Sequence, residues 1–152
     1  MSSQYTFTGQ FTFSIDSKNR LNIPAPIRRQ FLKKDKKTFV VTRGIDQCAW
    51  IYPISEWNLI QKELNQLSSL SKTNRLFLRN HLRHANILKF DSQGRFVLPQ
   101  SLIDYTSIKK DVTIIGVLNK IEIWNPNLLR KIDKSEEIDD QSYEQLSERV
   151  NI

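Results

Sequence analysis

Phe13-Ser14-Ile15-Asp16-Ser17-Lys18-Asn19-Arg20-Leu21-Asn22-Ile23-Pro24-Ala25-Pro26-Ile27 has a second copy 75 residues downstream, Leu88-Lys89-Phe90-Asp91-Ser92-Gln93-Gly94-Arg95-Phe96-Val97-Leu98-Pro99-Gln100-Ser101-Leu102. Four of the fifteen positions are identical: Asp16/Asp91, Ser17/Ser92, Arg20/Arg95 and Pro24/Pro99. Five more are apolar in both, namely Phe13/Leu88, Ile15/Phe90, Leu21/Phe96, Ile23/Leu98 and Ile27/Leu102. Unrelated windows of average composition share about one identity, so the match marks a duplication. At an offset of 73 a second block follows, pairing Phe39 with Val112, Val41 with Ile114, Asp46 with Asn119, Trp50 with Ile123 and Pro53 with Pro126.

Each copy reads in one order. Apolar residues alternate at Phe11, Phe13 and Ile15 and resume at Leu21 and Ile23, the period of half-buried strands around a tight turn. Asn19 and Gly94 hold the matching turn position, and both residue types tolerate positive φ. Pro24 ends the second strand, Pro26 suits the first turn of a short helix through Ile27 to Phe31, and strands Phe39 to Thr42 and Ala49 to Tyr52 complete the unit. The reading is α+β, two β-β-α-β-β repeats of roughly 45 residues, each too small to bury a core alone and therefore packed as a pseudo-twofold pair.

Four segments are expected: a first repeat at 9–55, a helical insert at 56–86, a second repeat at 87–132 and an acidic tail at 133–152. In the insert, Trp57, Ile60, Leu64 and Leu67 share one helical face; Ser68 to Ser71 break the pattern before a second helix, Thr73 to His84. Asn127 to Ile132 reads as a short helix. The tail from Asp133 is expected to be disordered, apart from a helix near Tyr143 to Val150.

The net charge of +7 is uneven. Residues 1–50 carry nine Lys/Arg against three Asp and residues 51–100 seven against three, whereas residues 101–152 carry seven against ten acidic groups. A basic body of this kind attracts polyanions, because Lys and Arg displace counterions from nucleic-acid phosphates. No stretch approaches a membrane span, and Met1 to Phe7 lack a signal-peptide pattern, so the chain is expected in the cytoplasm. The lone Cys48 excludes an internal disulfide framework.

The Asp-x-x-x-Arg loops are the polar feature that recurs. Asp16 and Asp91 can bridge within their own turns. Arg20 and Arg95, beside Lys18 and Gln93, offer planar donor forks suited to phosphate or to guanine O6 and N7. Arg28 on the short helix is a further cationic candidate. The run Lys33, Lys34, Lys36, Lys37 reads first as a solvated loop. Arg75, Arg79 and Arg83 recur every four residues on one helical face, open to DNA, a neighbouring subunit or water. His81 and His84 lack the further ligands of a metal set, and the sequence contains no P-loop, dinucleotide fingerprint or nucleophile elbow. No catalytic residue, metal or cofactor is expected. An acid/base pair of Asp16 and Asp91 is weakened by the arginine that accompanies each.

Ile15 to Leu21, Asp91 to Arg95, Gly116-Val117-Leu118-Asn119-Lys120-Ile121-Glu122-Ile123-Trp124 and the ending Leu146-Ser147-Glu148-Arg149 together resemble the MraZ family of bacterial transcription regulators, from Gly9 to about Arg149. The resemblance implies two swapped-hairpin repeats of the SpoVT/AbrB type, packed as a pseudo-twofold β-barrel. It implies a nucleoid-associated repressor of the division and cell-wall gene cluster containing its own gene, binding G-rich direct repeats in double-stranded DNA. It also implies a homo-oligomeric ring, with no membrane or small-molecule substrate. On this basis Arg20 is carried over as the first DNA contact and Lys18 as a matching basic position; the repeated loop adds Arg95 as the weaker contact, with Asp16 and Asp91 in the DNA-binding set as the groups that orient the arginines. Asn19 departs from the family's usual glycine. The alternative is an antitoxin-like interaction module using the acidic tail, which offers only Ile138, Tyr143 and Leu146 as apolar anchors.

Overall fold

The alternating segments on either side of each loop do form strands, but the strands find their partners in the other repeat. In the computed structural model, which describes residues 3–135 and 137–152, the first repeat contributes β1 (Gln10–Ser14), β2 (Arg20–Asn22), α1 (Ala25–Arg28), β3 (Thr38–Arg43) and β4 (Ala49–Pro53). Two helices follow, α2 (Ile54–Leu64) and α3 (Lys72–Leu82). The second repeat contributes β5 (Asn86–Lys89), β6 (Arg95–Val97), α4 (Gln100–Thr106), β7 (Asp111–Val117) and β8 (Lys120–Trp124), again followed by two helices, α5 (Pro126–Ser135) and α6 (Asp140–Val150).

A six-stranded antiparallel sheet runs β1-β7-β8-β4-β3-β5, and β2 pairs with β6 in a separate ribbon. Exchanging the two repeats leaves this order unchanged. The register obeys the same exchange: Phe13 lies opposite Val112 in β1/β7, and their counterparts Leu88 and Phe39 lie opposite each other in β5/β3. The pairs Leu21/Phe96 and Trp50/Glu122 map onto themselves and so lie on the pseudo-twofold axis.

Two expectations need correction. The described strands do not close into a barrel: the sheet has free edges at β1 and β5. β2 and β6 run for three residues each and stop just before Pro24 and Pro99, which cannot donate to a ladder, so the ribbon stays a separate two-stranded unit and does not join those edges. The equivalence of Trp50 with Ile123 is also one residue out. Ile123 joins the inner core, whereas Trp50 faces outward opposite Glu122, because the path from Val41 to its partner Ile51 is one residue longer than the matching path from Ile114 to Ile123.

The core lies between the inner sheet face and the ribbon with its helices. Phe39, Val41, Ile51, Ile114, Ile121 and Ile123 meet Leu21, Ile23, Leu98 and the helix residues Ile27 and Leu102, all buried. Tyr5 and Phe7, outside the expected repeat, extend it through Phe31 and Phe90, with ring centroids 4.9–5.9 Å apart. The Tyr5 hydroxyl donates to the buried Asp35, which also accepts from Ser55 N at 3.0 Å and Ser55 Oγ at 2.9 Å and so caps α2. On the outer face, Val40 and Tyr52 are covered by Trp57 of α2. The helix expected near Tyr143 to Val150 is present as α6, started by the Asp139 carboxylate accepting from Ser142 N at 2.7 Å, whereas the disorder expected from Asp133 is corrected by α5 running on to Ser135.

Candidate nucleic-acid interface

The two Asp-x-x-x-Arg loops are built from the same bonds. Asp16 Oδ1 accepts from Lys18 N at 2.9 Å and Arg20 N at 2.8 Å, while Oδ2 accepts from Arg20 Nε at 2.6 Å. Asp91 Oδ1 accepts from Gln93 N at 2.8 Å and Arg95 N at 2.9 Å, and Oδ2 from Arg95 Nε at 3.1 Å. The bend is made at Asn19 (φ 61°) and Gly94 (φ 78°), the pair of residues expected to carry it. Backbone N–H bonds, from Arg20 and Arg95 first, hold both carboxyls below the usual range, so the aspartates stay ionised.

Each carboxylate takes the Nε of its arginine. No hydrogen bond among the described residues uses the Nη atoms of Arg20 or Arg95, so each guanidinium is oriented with its terminal fork unspent. Half-exposure of both side chains, 37% for Arg20 and 32% for Arg95, keeps the forks accessible.

The ribbon brings the two forks to one surface. Arg20 lies opposite Val97 and Arg95 opposite Asn22, so the arginines are diagonal neighbours on the same outward face, with Leu21 and Phe96 buried beneath. Diagonal residues of this kind have Cα atoms about 7–8 Å apart. Ile23 N donates to Gly94 O at 3.0 Å and Leu98 N to Asn19 O at 2.8 Å, so each loop is braced by the strand of the other repeat.

The flanks differ. Asn19 Nδ2 reaches Gln100 Oε1 at 3.3 Å. Arg28 instead lies across Gly94, donating Nη1 to Gln93 O at 3.1 Å, and its Nε is buried without a partner. A Cβ on Gly94 would come within 1.7 Å of Arg28 Nη1, so Arg28 supports the second loop from below. Its first-repeat position is matched in the second by Ile103, so only one loop has this support. Lys18 and Gln93 are both exposed at the loop tips.

Other candidates are placed elsewhere. His81 is buried beside Trp57 and stacked on Phe77, while His84 lies beyond the end of α3 with Nε2 accepting from Arg83 at 3.3 Å. Among the described residues no group of three or more His, Cys, Asp or Glu could hold a metal ion. Burial pushes the Cys48 thiol up, and its Sγ sits 3.8 Å from Glu122 Oε2. Among the described residues no helix is long and apolar enough to cross a membrane. Sequence reasoning missed the cross-repeat bracing by Ile23 and Leu98, for which only the position of the two prolines gave a signal.

A family profile described as "MraZ protein, putative antitoxin-like" matches the chain twice, at residues 6–80 and 81–150. Proteins named "Transcriptional regulator MraZ" are similar over most of its length. The one from Clostridium tetani is 37% identical over 147 residues, 95% of this chain and 96% of its own, and the one from Natranaerobius thermophilus is 38% identical over 144, with the same coverage. That from Pediococcus pentosaceus is 44% identical over 119 residues, 78% of this chain and 80% of its own. With two matches that together span nearly all of its residues, the chain belongs to the MraZ family.

Proposed function

We propose that this chain is a sequence-specific DNA-binding transcription regulator that lays its β2/β6 ribbon in a major groove. The observation that carries this is the pair of guanidiniums on one ribbon face, each tied through Nε to an ionised aspartate with its Nη fork unspent. A B-DNA major groove admits a two-stranded β-ribbon, and an Arg fork matches guanine O6 and N7 bidentately. Arg20 and Arg95 read guanine; Lys18 meets phosphate; Asp16 and Asp91 orient the arginines; Arg28 enters as the prop beneath Gly94. The names of the relatives support the regulator reading.

The finer reading keeps the expected target: G-rich direct repeats upstream of the division and cell-wall cluster that contains the chain's own gene, bound to repress it on the nucleoid. The cross-repeat pairing β1/β7 and β3/β5 supports a swapped-hairpin description of the repeats. The DNA-facing units are then the β-β-α-β-β segments 9–55 and 87–132, and the helical segments 56–86 and 133–152 remain for contacts between copies in a ring. A fluorescence-polarisation titration against the upstream duplex tests the site. Arg20→Ala should weaken binding by roughly 5- to 150-fold, the equivalent of about 1–3 kcal/mol, and relax guanine preference at one position. Unchanged affinity would sink it.

The antitoxin-like alternative draws on the description of the family and on the exposed apolar side of α6. It requires a partner protein to bind the tail, and tail removal would then abolish that capture while leaving DNA binding intact.

A further inference from the structure

Each repeat ends in two helices, yet the two pairs are used differently. In the first repeat α3 is fastened to its own sheet: Thr42 Oγ1 donates to His81 O at 2.6 Å, and the His81 ring packs on Trp57 and Trp50. In the second repeat the position of Thr42 is held by Ile115, which has no hydroxyl to offer. α6 buries none of its eleven residues, and Tyr143, Leu146 and Val150 are 62%, 50% and 61% exposed. Their spacing of three and four puts them on one side of the helix, with Asp140, Glu144 and Glu148 at four-residue intervals along its flank.

The first-repeat helices present the complement. Between α2 and α3 lies a groove of about 450 Å³ floored by Leu64, Leu67, Leu78 and Leu82. Arg75 and Arg79 stand three residues before Leu78 and Leu82 and so border that floor, and Arg83 continues the row. All three arginines are exposed; among the described residues the Arg75 Nη1 donates to Ser69 O and Leu70 O at 2.9 and 3.1 Å, Arg83 Nε donates to His84 Nε2 at 3.3 Å, and the Nη atoms of Arg79 and Arg83 make no hydrogen bond. The exposed Lys62 and Lys72 add to the positive charge of this hairpin, while the one acidic group on it outside the core is Glu63.

We propose that α6 of one copy seats Tyr143, Leu146 and Val150 in the α2/α3 groove of a second copy, with its glutamates against Arg79 and Arg83. An amphipathic helix in a groove is a recurring recognition mode, and here charge and apolar floor agree on the same occupant. The contact is heterologous, because it leaves a free helix on one copy and a free groove on the other. Copies therefore add in one direction until the assembly closes. One short helix covers far less than the ~1,200–2,000 Å² of a stable interface, so closure supplies the stability that a single contact lacks. The inference rests on the reading that several copies assemble, and is independent of the loops reading DNA.

Sedimentation velocity on the full chain, with Leu146→Asp and Leu82→Asp as variants, tests it. Both leucines are exposed, so the fold should persist. The expected result is an assembled wild type and loss of assembly in each variant. Arg79→Glu/Arg83→Glu should lose it as well, and regain it when mixed with copies carrying Glu144→Arg/Glu148→Arg. A mixture of Leu82→Cys and Leu146→Cys copies should form a disulfide between chains. Assembly that survives Leu146→Asp overturns the contact and leaves the assembly reading standing; a wild type that stays monomeric overturns both. A disulfide formed within the single chain of the double-cysteine variant overturns the proposal in favour of self-docking. If Arg79→Glu/Arg83→Glu weakens binding to a single-site duplex without changing the mass, the stripe is a DNA surface and the proposal fails.

Discussion

At the scale of single residues, the geometry of each candidate loop depends on one carboxylate doing two jobs. Asp16 Oδ1 closes the turn on backbone donors, and Oδ2 aims the guanidinium. Asp16→Asn keeps one acceptor oxygen, so the turn should survive while the Arg20 fork loses its fixed direction. Guanine preference measured by polarisation should fall further than total affinity, whereas Arg20→Ala lowers both. The pH dependence has a definite sign. The folded Asp16 and Asp91 carboxyls titrate below their ordinary value, so their contribution is complete above that value and lost as pH falls through the depressed one. NMR titration of the two carboxyls should find both below model peptides, and Arg20→Ala should raise Asp16 while leaving Asp91 unmoved. Gly94 supplies the sharper stability test. Gly94→Ala must take φ 78° and displace Arg28, a cost of about 1–2 kcal/mol for the backbone alone. Thermal unfolding of Gly94→Ala in an Arg28→Ala background should show the loss due to the clash removed and the backbone cost retained.

At the scale of elements, the hairpin loops were legible because their signal is local. Alternation, a residue tolerant of positive φ and a following proline all fall within a dozen positions. The strand partners were not, since β1 and β5 find theirs across about 100 and 50 residues of chain, and nothing within either strand encodes that choice. Tyr5 and Phe7 escaped notice because they precede the repeat, although both are buried and one anchors Asp35. The candidate site was legible in part: Arg20 and Arg95 stand out by recurrence, but their shared face exists only once β2 has paired with β6. For α3, the buried position is a histidine where the helical pattern alone calls for an apolar residue. Burial holds His81 below the ordinary value of about 6.5, and His84 is lowered too, by its surroundings and by Arg43 and Arg83. A depressed pKa means stability that is present above the ordinary value and declines as pH falls from it toward the folded one. The melting temperature should therefore drop between pH 7 and pH 5, and His81→Phe should reduce that drop; an unchanged slope would assign it to other groups.

At the scale of the whole molecule, two arginines on a three-residue ribbon offer few base contacts, and each good bidentate pair is worth about 1–3 kcal/mol. One copy on one site should therefore bind weakly and with a steep salt dependence, since much of its attraction comes from phosphate neutralisation by a chain of net charge +7. Linking copies changes this, because the second site is then occupied at the effective concentration set by the assembly rather than by the bulk. Duplexes carrying one, two or four correctly spaced repeats should be bound with affinity that rises far faster than site number, and mis-spacing by half a helical turn should remove the gain. Leu146→Asp separates the two contributions. If α6 joins the copies, this variant should bind the single-site duplex as the wild type does and lose only the advantage of the array. Equal affinity of the wild type for one repeat and for an array would mean that the loops alone carry recognition, and the basic body of the chain would then have to supply by charge what the assembly was expected to supply by geometry.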